Sequence, residues 1–226
     1  MQRELVFSGV GGQGILTGSQ LFGHTALAEG KRAMYFSMFQ GAQRGGICEC
    51  LLVVADGRVE ASPVIMQPLD GCLAMHPNSF LRFEPLIDPG GLLVYNTSIK
   101  FGTSDTKLTS GEGLGMKSDT EITLAPKRDD VAYFGLPATD LAIEQLGSSL
   151  PATLVAVGAF IQLSGVVSLG RAIESLPQTL PAHRRHLNPI NERALKLGYR
   201  YAEDRAGDLR NAASLTLLGR AAAVAV

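Results

Sequence analysis

Tryptophan is absent from this 226-residue sequence, and cysteine, aromatic and charged residues are scarce. Three cysteines are too few and too uneven for a disulfide framework, so we expect a reducing, cytoplasmic setting. A net charge of −1 excludes a generally basic, nucleic-acid-binding surface. Charged residues make up 18% of the chain, against about 25% in an average soluble protein, which indicates a large buried subunit interface. We expect no secretion signal and no membrane span, because no apolar run reaches the ~20 residues a span needs.

Glycine is abundant, with 26 residues, and it is concentrated in two loops near the N-terminus. The first loop, "GVGGQG" at positions 9–14, follows the apolar stretch "ELVFS", which predicts a buried strand. The next residues predict a helix from Ile15 to Glu29, and "RAMYFSMF" predicts a second strand. The chain therefore opens with a Rossmann-like β-turn-α-β unit.

The rest of the pattern predicts an α/β fold, namely a three-layer α/β/α sandwich with a mixed, mostly parallel sheet and a helical C-terminal third. "ICECLLVVA" predicts a long strand, and Asp56-Gly57 predicts a hairpin whose second strand would make the sheet mixed. Residues 97–130 are predicted to form a long loop with one strand near "EITLA". We expect one domain over residues 1–205 and a C-terminal tail over residues 206–226.

The first loop fits the pattern G-x-G-x-x-G through Gly9, Gly11 and Gly14, after a strand and before a helix. Such glycines let the backbone approach a ligand, and the helix N-terminus offers free N–H groups to an anion. An NAD or FAD site would also need an acidic residue at the end of the second strand, and "AMYFSMFQ" has none. Three interpretations stay open: a site for another anion, a stand-alone NAD- or FAD-binding protein, and a purely structural turn.

The second loop, in "FQGAQRGG", leaves the second strand and contains Arg44, the only charged residue between Arg32 and Glu49. Because loops at the carboxyl ends of neighbouring strands converge, we expect both glycine loops to face one crevice. There Arg44 could bind a phosphate or carboxylate with two hydrogen bonds, or pair with an acid on a neighbouring subunit. Gln43 could contact the ligand or hydrogen-bond within its own loop.

Taken together, these motifs resemble the gamma subunit of the thiamine-diphosphate-dependent 2-oxoacid:acceptor oxidoreductases, which act on pyruvate, 2-oxoglutarate, 2-oxoisovalerate or indolepyruvate. The resemblance covers roughly residues 3 to 200 and rests on "GVGGQG", "RGG", "ASP", "PGGLLVYN", "LPATDLAIEQLG" and "LNPINERALKLG", in that order. Many gamma subunits have G-x-E-x-R-G-G at the second loop. The sequence "AQRGG" is more similar to the indolepyruvate branch and favours an aromatic substrate.

The resemblance implies a subunit of a larger cytoplasmic enzyme that oxidatively decarboxylates a 2-oxoacid to an acyl-CoA. It places thiamine diphosphate, Mg²⁺ and iron–sulfur clusters in partner subunits, with ferredoxin or another acceptor taking the electrons. This chain would contribute coenzyme A binding and active-site assembly, with no catalytic residue and no metal ligand of its own. The candidate coenzyme A contacts are Gly11, Gly12, Gln13, Gly14, Gln43, Arg44, Gly45 and Gly46. A structural adaptor subunit without a ligand is the alternative.

Overall fold

A computed structural model describes residues 2–39, 46–59, 69–99 and 125–215 of the chain. These residues form six strands and six α-helices. The strands are β1 (Gln2–Val10), β2 (Arg32–Phe39), β3 (Ile47–Ala55), β4 (Leu69–Ala74), β5 (Ile87–Asn96) and β6 (Ala132–Leu136). The helices are α1 (Ile15–Ala28), α2 (Pro77–Phe83), α3 (Ala138–Leu146), α4 (Ala152–Ser164), α5 (Leu169–Thr179) and α6 (Asn188–Asp204).

The strands form one sheet in the order β2-β3-β1-β4-β5-β6. Strand β3 runs antiparallel to both of its neighbours, β1 and β2, and the other pairs are parallel. The mixed, mostly parallel α/β sheet is therefore confirmed, but its antiparallel member is β3 rather than a hairpin after Asp56-Gly57. Residues 56–59 contain no strand, and the rest of that hairpin and most of "EITLA" lie outside the described residues. Strands β4 and β6 were not predicted.

The two faces of the sheet carry unequal layers of helix. Helices α1 and α4 lie on one face, with α3, α5 and α6 packed against them, whereas the short helix α2 covers the other face at β1, β4 and β5. Strand alternation sends Leu5 and Phe7 to the thicker side, where Phe7 makes edge-to-face contacts with Phe22 and Phe160 at 5.4 and 5.3 Å between ring centroids. Val6 belongs to the core on the α2 side.

Helices α4 and α6 cross at very short range. A Cβ atom added at Gly198 would lie 1.7 Å from the Val155 carbonyl oxygen, and one added at Gly158 would lie 2.1 Å from the Leu195 carbonyl oxygen. Both backbones can approach this closely only because neither position carries a side chain. The crossing brings α6 down onto the sheet, where Tyr201 contacts Phe134 of β6.

The residues after α6 pack against the β6 edge of the sheet. Tyr133 and Arg210 exchange two backbone hydrogen bonds of 3.0 Å, and Leu209 and Leu215 are buried. Among the helices of the described residues, none has both the length and the apolar character needed to cross a membrane.

Candidate functional site

The first glycine loop and Gly46, the last residue of the second, meet at one edge of the sheet. We name residues 9–14 together with Gly46 the glycine edge. In the strand register Phe39 lies opposite Cys48, which lies opposite Gly9, so β1 and β2 end where β3 begins. The Gly11 N–H donates a 2.7 Å hydrogen bond to the Gly46 carbonyl oxygen. Gly11 and Gly46 meet because β3 runs antiparallel to β1 and β2, so β3 begins at the edge where those two strands end.

Of the residues predicted in the second loop, only Gly46 is described by the structure. Gln43, Arg44 and Gly45 lie outside the described residues, so their part in a site stays a prediction. "ASP" at positions 61–63 also lies outside them.

Two glycines of the first loop adopt backbone conformations that disfavour other residues. Gly12 has a φ of +101° and Gly14, which precedes α1, has a φ of +84°. A Cβ atom at either position would meet nothing within 4 Å, so backbone conformation rather than space makes glycine suitable there. Gly11 and Gly12 are exposed. The turn therefore presents bare backbone to the solvent.

Gln13 clamps this turn from its inner side. Its Oε1 accepts a 2.8 Å hydrogen bond from the Val10 N–H, and its Nε2 donates to the Met75 carbonyl oxygen at 3.4 Å. The side chain thus ties the end of β1 to the residue that follows β4. The candidate ligand contact Gln13 points its amide into the protein, and a direct contact with coenzyme A stays a prediction.

Thr153 is a residue of the site that the sequence analysis missed. This buried side chain in the first turn of α4 donates a 2.5 Å hydrogen bond from Oγ1 to the Gln13 carbonyl oxygen. Gly18 of α1 allows the approach, because a Cβ there would already lie 3.0 Å from Thr153 Cγ2. "LPATL" carries no motif that would have marked this contact, which joins residues 140 positions apart.

The electrostatics of the turn suit an anion. Helix α1 has no acidic residue in its first turn, and no side chain caps its N-terminus. The first N–H groups of a helix carry partial positive charge and attract phosphates and carboxylates. The exposed Gly11–Gly12 backbone beside them lets such a group come close. The described residues therefore fit a phosphate group of the kind coenzyme A carries.

The strand order differs from that of a dinucleotide-binding site. In that kind of site the acid that binds the ribose stands on the strand beside the glycine turn. Here β3 lies between β1 and β2, so the end of β2 is two strand spacings away, or about 10 Å. Both the missing acid and the strand order disfavour an NAD site.

Buried polar groups lie under the glycine edge on the α2 side. The Glu49 side chain is 1% exposed; its Oε2 accepts a 3.1 Å hydrogen bond from Arg82 Nη2, and its Oε1 forms an ion pair with Arg82 Nε at 2.8 Å. Burial raises the pKa of Glu49, and the Arg82 charge opposes that rise. Ser8 Oγ and Ser79 Oγ form a 2.8 Å hydrogen bond nearby. These groups tie α2 to β1 and β3 and leave the glycine edge itself without a negative charge from the described strands.

All three cysteines of the sequence are buried in the sheet. Cys48 and Cys50 share one face of β3, as strand alternation predicts, and Cys72 lies on β4. Burial raises the pKa of the Cys72 thiol. Within the described ranges, no group of three or more His, Cys, Asp or Glu side chains is placed to hold a metal ion.

Comparison with known protein families decides the affiliation of the chain. Residues 4–201 match the family model described as pyruvate ferredoxin/flavodoxin oxidoreductase. The chain belongs to this family.

Proteins with similar sequences are named for different substrates. The 2-oxoglutarate synthase subunit KorC of Methanothermobacter marburgensis is 26% identical over 80% of this chain and 88% of its own length. The indolepyruvate oxidoreductase subunit IorB of Archaeoglobus fulgidus is 28% identical over 89% of this chain and 96% of its own length. These similar identities do not single out the indolepyruvate branch.

A solved structure shows the same fold inside a longer chain. The 2-oxoglutarate:ferredoxin oxidoreductase of Magnetococcus marinus, solved with 2-oxoglutarate, coenzyme A and succinyl-CoA bound, matches with a TM-score of 0.67 and 20% identity. The match covers 90% of this chain but only 31% of that one. In that protein the fold of this family member is therefore one part of a much larger polypeptide.

Proposed function

We propose that this chain is the gamma-type subunit of a cytoplasmic 2-oxoacid:acceptor oxidoreductase complex. The complex converts a 2-oxoacid and coenzyme A into an acyl-CoA and carbon dioxide, and passes two electrons to ferredoxin or another acceptor. The observation that carries the proposal is the hydrogen bond between Gly11 and Gly46, which joins the exposed first glycine turn to the residue before β3 in a chain of this family.

Within this complex the chain holds coenzyme A, whose thiol is the acceptor of the acyl group. The backbone N–H groups of the Gly11–Gly14 turn and of the first turn of α1 bind a phosphate of the cofactor. Gln13 and Thr153 keep that turn in place through the hydrogen bonds described above. Arg44, carried by the second loop, supplies the positive charge. The resemblance places thiamine diphosphate, Mg²⁺ and the iron–sulfur clusters in partner subunits, and the three cysteines present here are one short of a four-cysteine cluster.

The complex itself tests the proposal. Purification of the chain with its native partners should give an assembly that contains thiamine diphosphate and iron–sulfur absorbance. The assembly should reduce its acceptor only when both a 2-oxoacid and coenzyme A are present. A chain that purifies alone with nicotinamide or flavin absorbance would overturn the proposal.

We propose an aromatic 2-oxoacid as the substrate, on the strength of "AQRGG" in the second loop. The assembled enzyme should then show a higher kcat/KM for indolepyruvate or phenylpyruvate than for pyruvate or 2-oxoglutarate. The reverse order would exclude the aromatic substrate and leave the subunit assignment intact.

The role of Arg44 is tested in the same assembly. Arg44→Ala should raise the KM for coenzyme A about tenfold or more, because a hydrogen bond to a charged group contributes about 1.5–3 kcal/mol. Arg171→Ala, which removes an exposed cation on α5, is the matched control and should leave that KM unchanged. Equal KM values for Arg44→Ala and wild type would show that Arg44 does not bind coenzyme A.

A further inference from the structure

We propose that the outer face of β2 is the surface on which another, non-identical subunit of the oxidoreductase docks. The inference rests on the proposed function and adds to it the place of contact. The surface consists of Met34, Phe36 and Met38, which we name the β2 stripe. These alternate residues share one face of the strand, on the side of the sheet that carries α2.

The β2 stripe is unusually apolar for a free surface. Met34 is 39% exposed and Phe36 is 48% exposed. Two of the large hydrophobic side chains that are exposed within the described residues thus stand next to each other on one face of this strand. A contiguous exposed apolar patch on a soluble protein marks an interaction site.

The edge of β2 also lacks the features that keep a free edge from pairing. Among the described residues β2 pairs only with β3, which leaves its other side at the border of the sheet. The strand contains no proline, and its only charge is Arg32 at its first residue. Free edge strands normally carry charges, proline or bulges that prevent association with other chains. A long apolar edge without them is suited to a permanent partner.

Helix α2 reaches only part of this side of the sheet. It contacts β1, β4 and β5 and places the Arg82 guanidinium, 40% exposed, beside Glu49 of β3, which lies opposite Met38. Arg32 stands at the other end of the β2 stripe. The stripe is thus an apolar strip with a cation near each end, which is the arrangement of a subunit interface with an apolar centre and a polar rim.

Two observations identify the occupant as a different subunit rather than a second copy. In the longer protein of Magnetococcus marinus, this fold occupies 31% of one chain, so it is joined there to a larger part that the match does not cover. Strand β2 also ends at the glycine edge, opposite Cys48 and Gly9, so a subunit seated on the β2 stripe would extend to the proposed coenzyme A site. The partner should present an apolar surface with a carboxylate facing Arg32.

Phe36→Lys tests the proposal in the native complex. Co-purification of the thiamine-diphosphate-containing subunit with Phe36→Lys should fall at least tenfold, while the isolated variant should keep the circular dichroism and melting curve of the wild type, because Phe36 is half-exposed. Leu27→Lys is the matched control, since Leu27 is 52% exposed but lies on α1, which packs on the opposite face of the sheet from the β2 stripe. It should co-purify as the wild type does.

Hydrogen exchange gives a second measurement that does not depend on a variant. The amides of residues 32–39 should exchange at least tenfold more slowly in the complex than in the free chain. Undiminished co-purification of Phe36→Lys, or unchanged exchange, would overturn the docking surface while leaving the proposed function intact. A wild-type dimer that Phe36→Lys converts to a monomer would assign the stripe to a second copy instead. A wild-type chain that binds no thiamine-diphosphate subunit would overturn the proposed function as well.

Discussion

Two pairs of glycines in this protein serve opposite physical purposes. At the glycine edge, Gly12 and Gly14 have positive φ angles and open space where a side chain would stand. At the crossing of α4 and α6, Gly158 and Gly198 lie within helices, and a side chain there would collide with the backbone of the other helix. The first pair is needed for its backbone conformation and the second for its lack of volume.

This difference in role explains why only the loop glycines can be recognised from the sequence. A conformational glycine sits in a loop at a fixed offset from a strand and a helix, so "GVGGQG" can be recognised from sequence alone. A packing glycine sits inside an ordinary helical pattern. Glycine is needed there because of a contact with a residue some forty positions away in the sequence. The conformational pair therefore marks a candidate site, whereas the packing pair sets how closely α6 approaches α4 and the sheet beneath it.

The largest effect is expected at the helix crossing. Gly198→Ala should lower the free energy of unfolding by about 3 kcal/mol, because a Cβ 1.7 Å from the Val155 carbonyl oxygen forces the helices apart. Chemical denaturation of the isolated chain measures this. Gly170→Ala on α5, where a Cβ would meet nothing within 4 Å, is the control and should be neutral or stabilising by about 0.5 kcal/mol. Equal effects at the two positions would refute the packing role.

A smaller effect of a different kind is expected at the turn. Gly14→Ala should cost about 1–2 kcal/mol, because Ala is disfavoured at a φ of +84° although there is room for its Cβ. Gly14→Asn should cost less, since Asn tolerates the left-handed region better. The same denaturation measurement checks both variants. If Asn proves as costly as Ala, backbone conformation is not what makes glycine suitable there.

The smallest stability effect is expected for the hydrogen bond from Thr153 that supports the turn. Thr153→Val keeps the shape of the side chain but removes the hydrogen bond to the Gln13 carbonyl oxygen, which should cost about 1 kcal/mol. Thr153→Ser retains the hydroxyl and should recover the hydrogen bond. Amide exchange at residues 11–14 should speed up in Thr153→Val only. Unchanged exchange there would mean that α4 does not hold the turn.

Much of the fold could be predicted because its signals are local. The apolar stretches before and after "GVGGQG" gave β1, α1 and β2 close to their observed bounds, and alternation placed Cys48 and Cys50 on one face. The insertion of β3 between β1 and β2 could not be predicted, since strand order depends on pairing between distant segments. Strand β6, with only five residues, gave too short a pattern.

The sequence predicted the glycine turn of the candidate site but not the side-chain contacts that hold the turn in place. Gly11, Gly12 and Gly14 stand in the exposed turn that the motif indicates. The contacts that fix the turn join Gln13 to Met75 and to Thr153, across 62 and 140 residues, and no local pattern encodes them. Asn96 is a similar case: at the end of β5, its Oδ1 accepts from the Ala138 N–H at 3.0 Å and so caps α3 from a distant strand.

The most direct test of the central claim is amide hydrogen exchange at residues 11–17 in the assembled enzyme, with and without coenzyme A. If the turn and the start of α1 bind the cofactor, these amides should exchange at least several-fold more slowly when coenzyme A is present, while those of α5 stay unchanged. Identical exchange at residues 11–17 under conditions where the enzyme turns over coenzyme A would contradict the account.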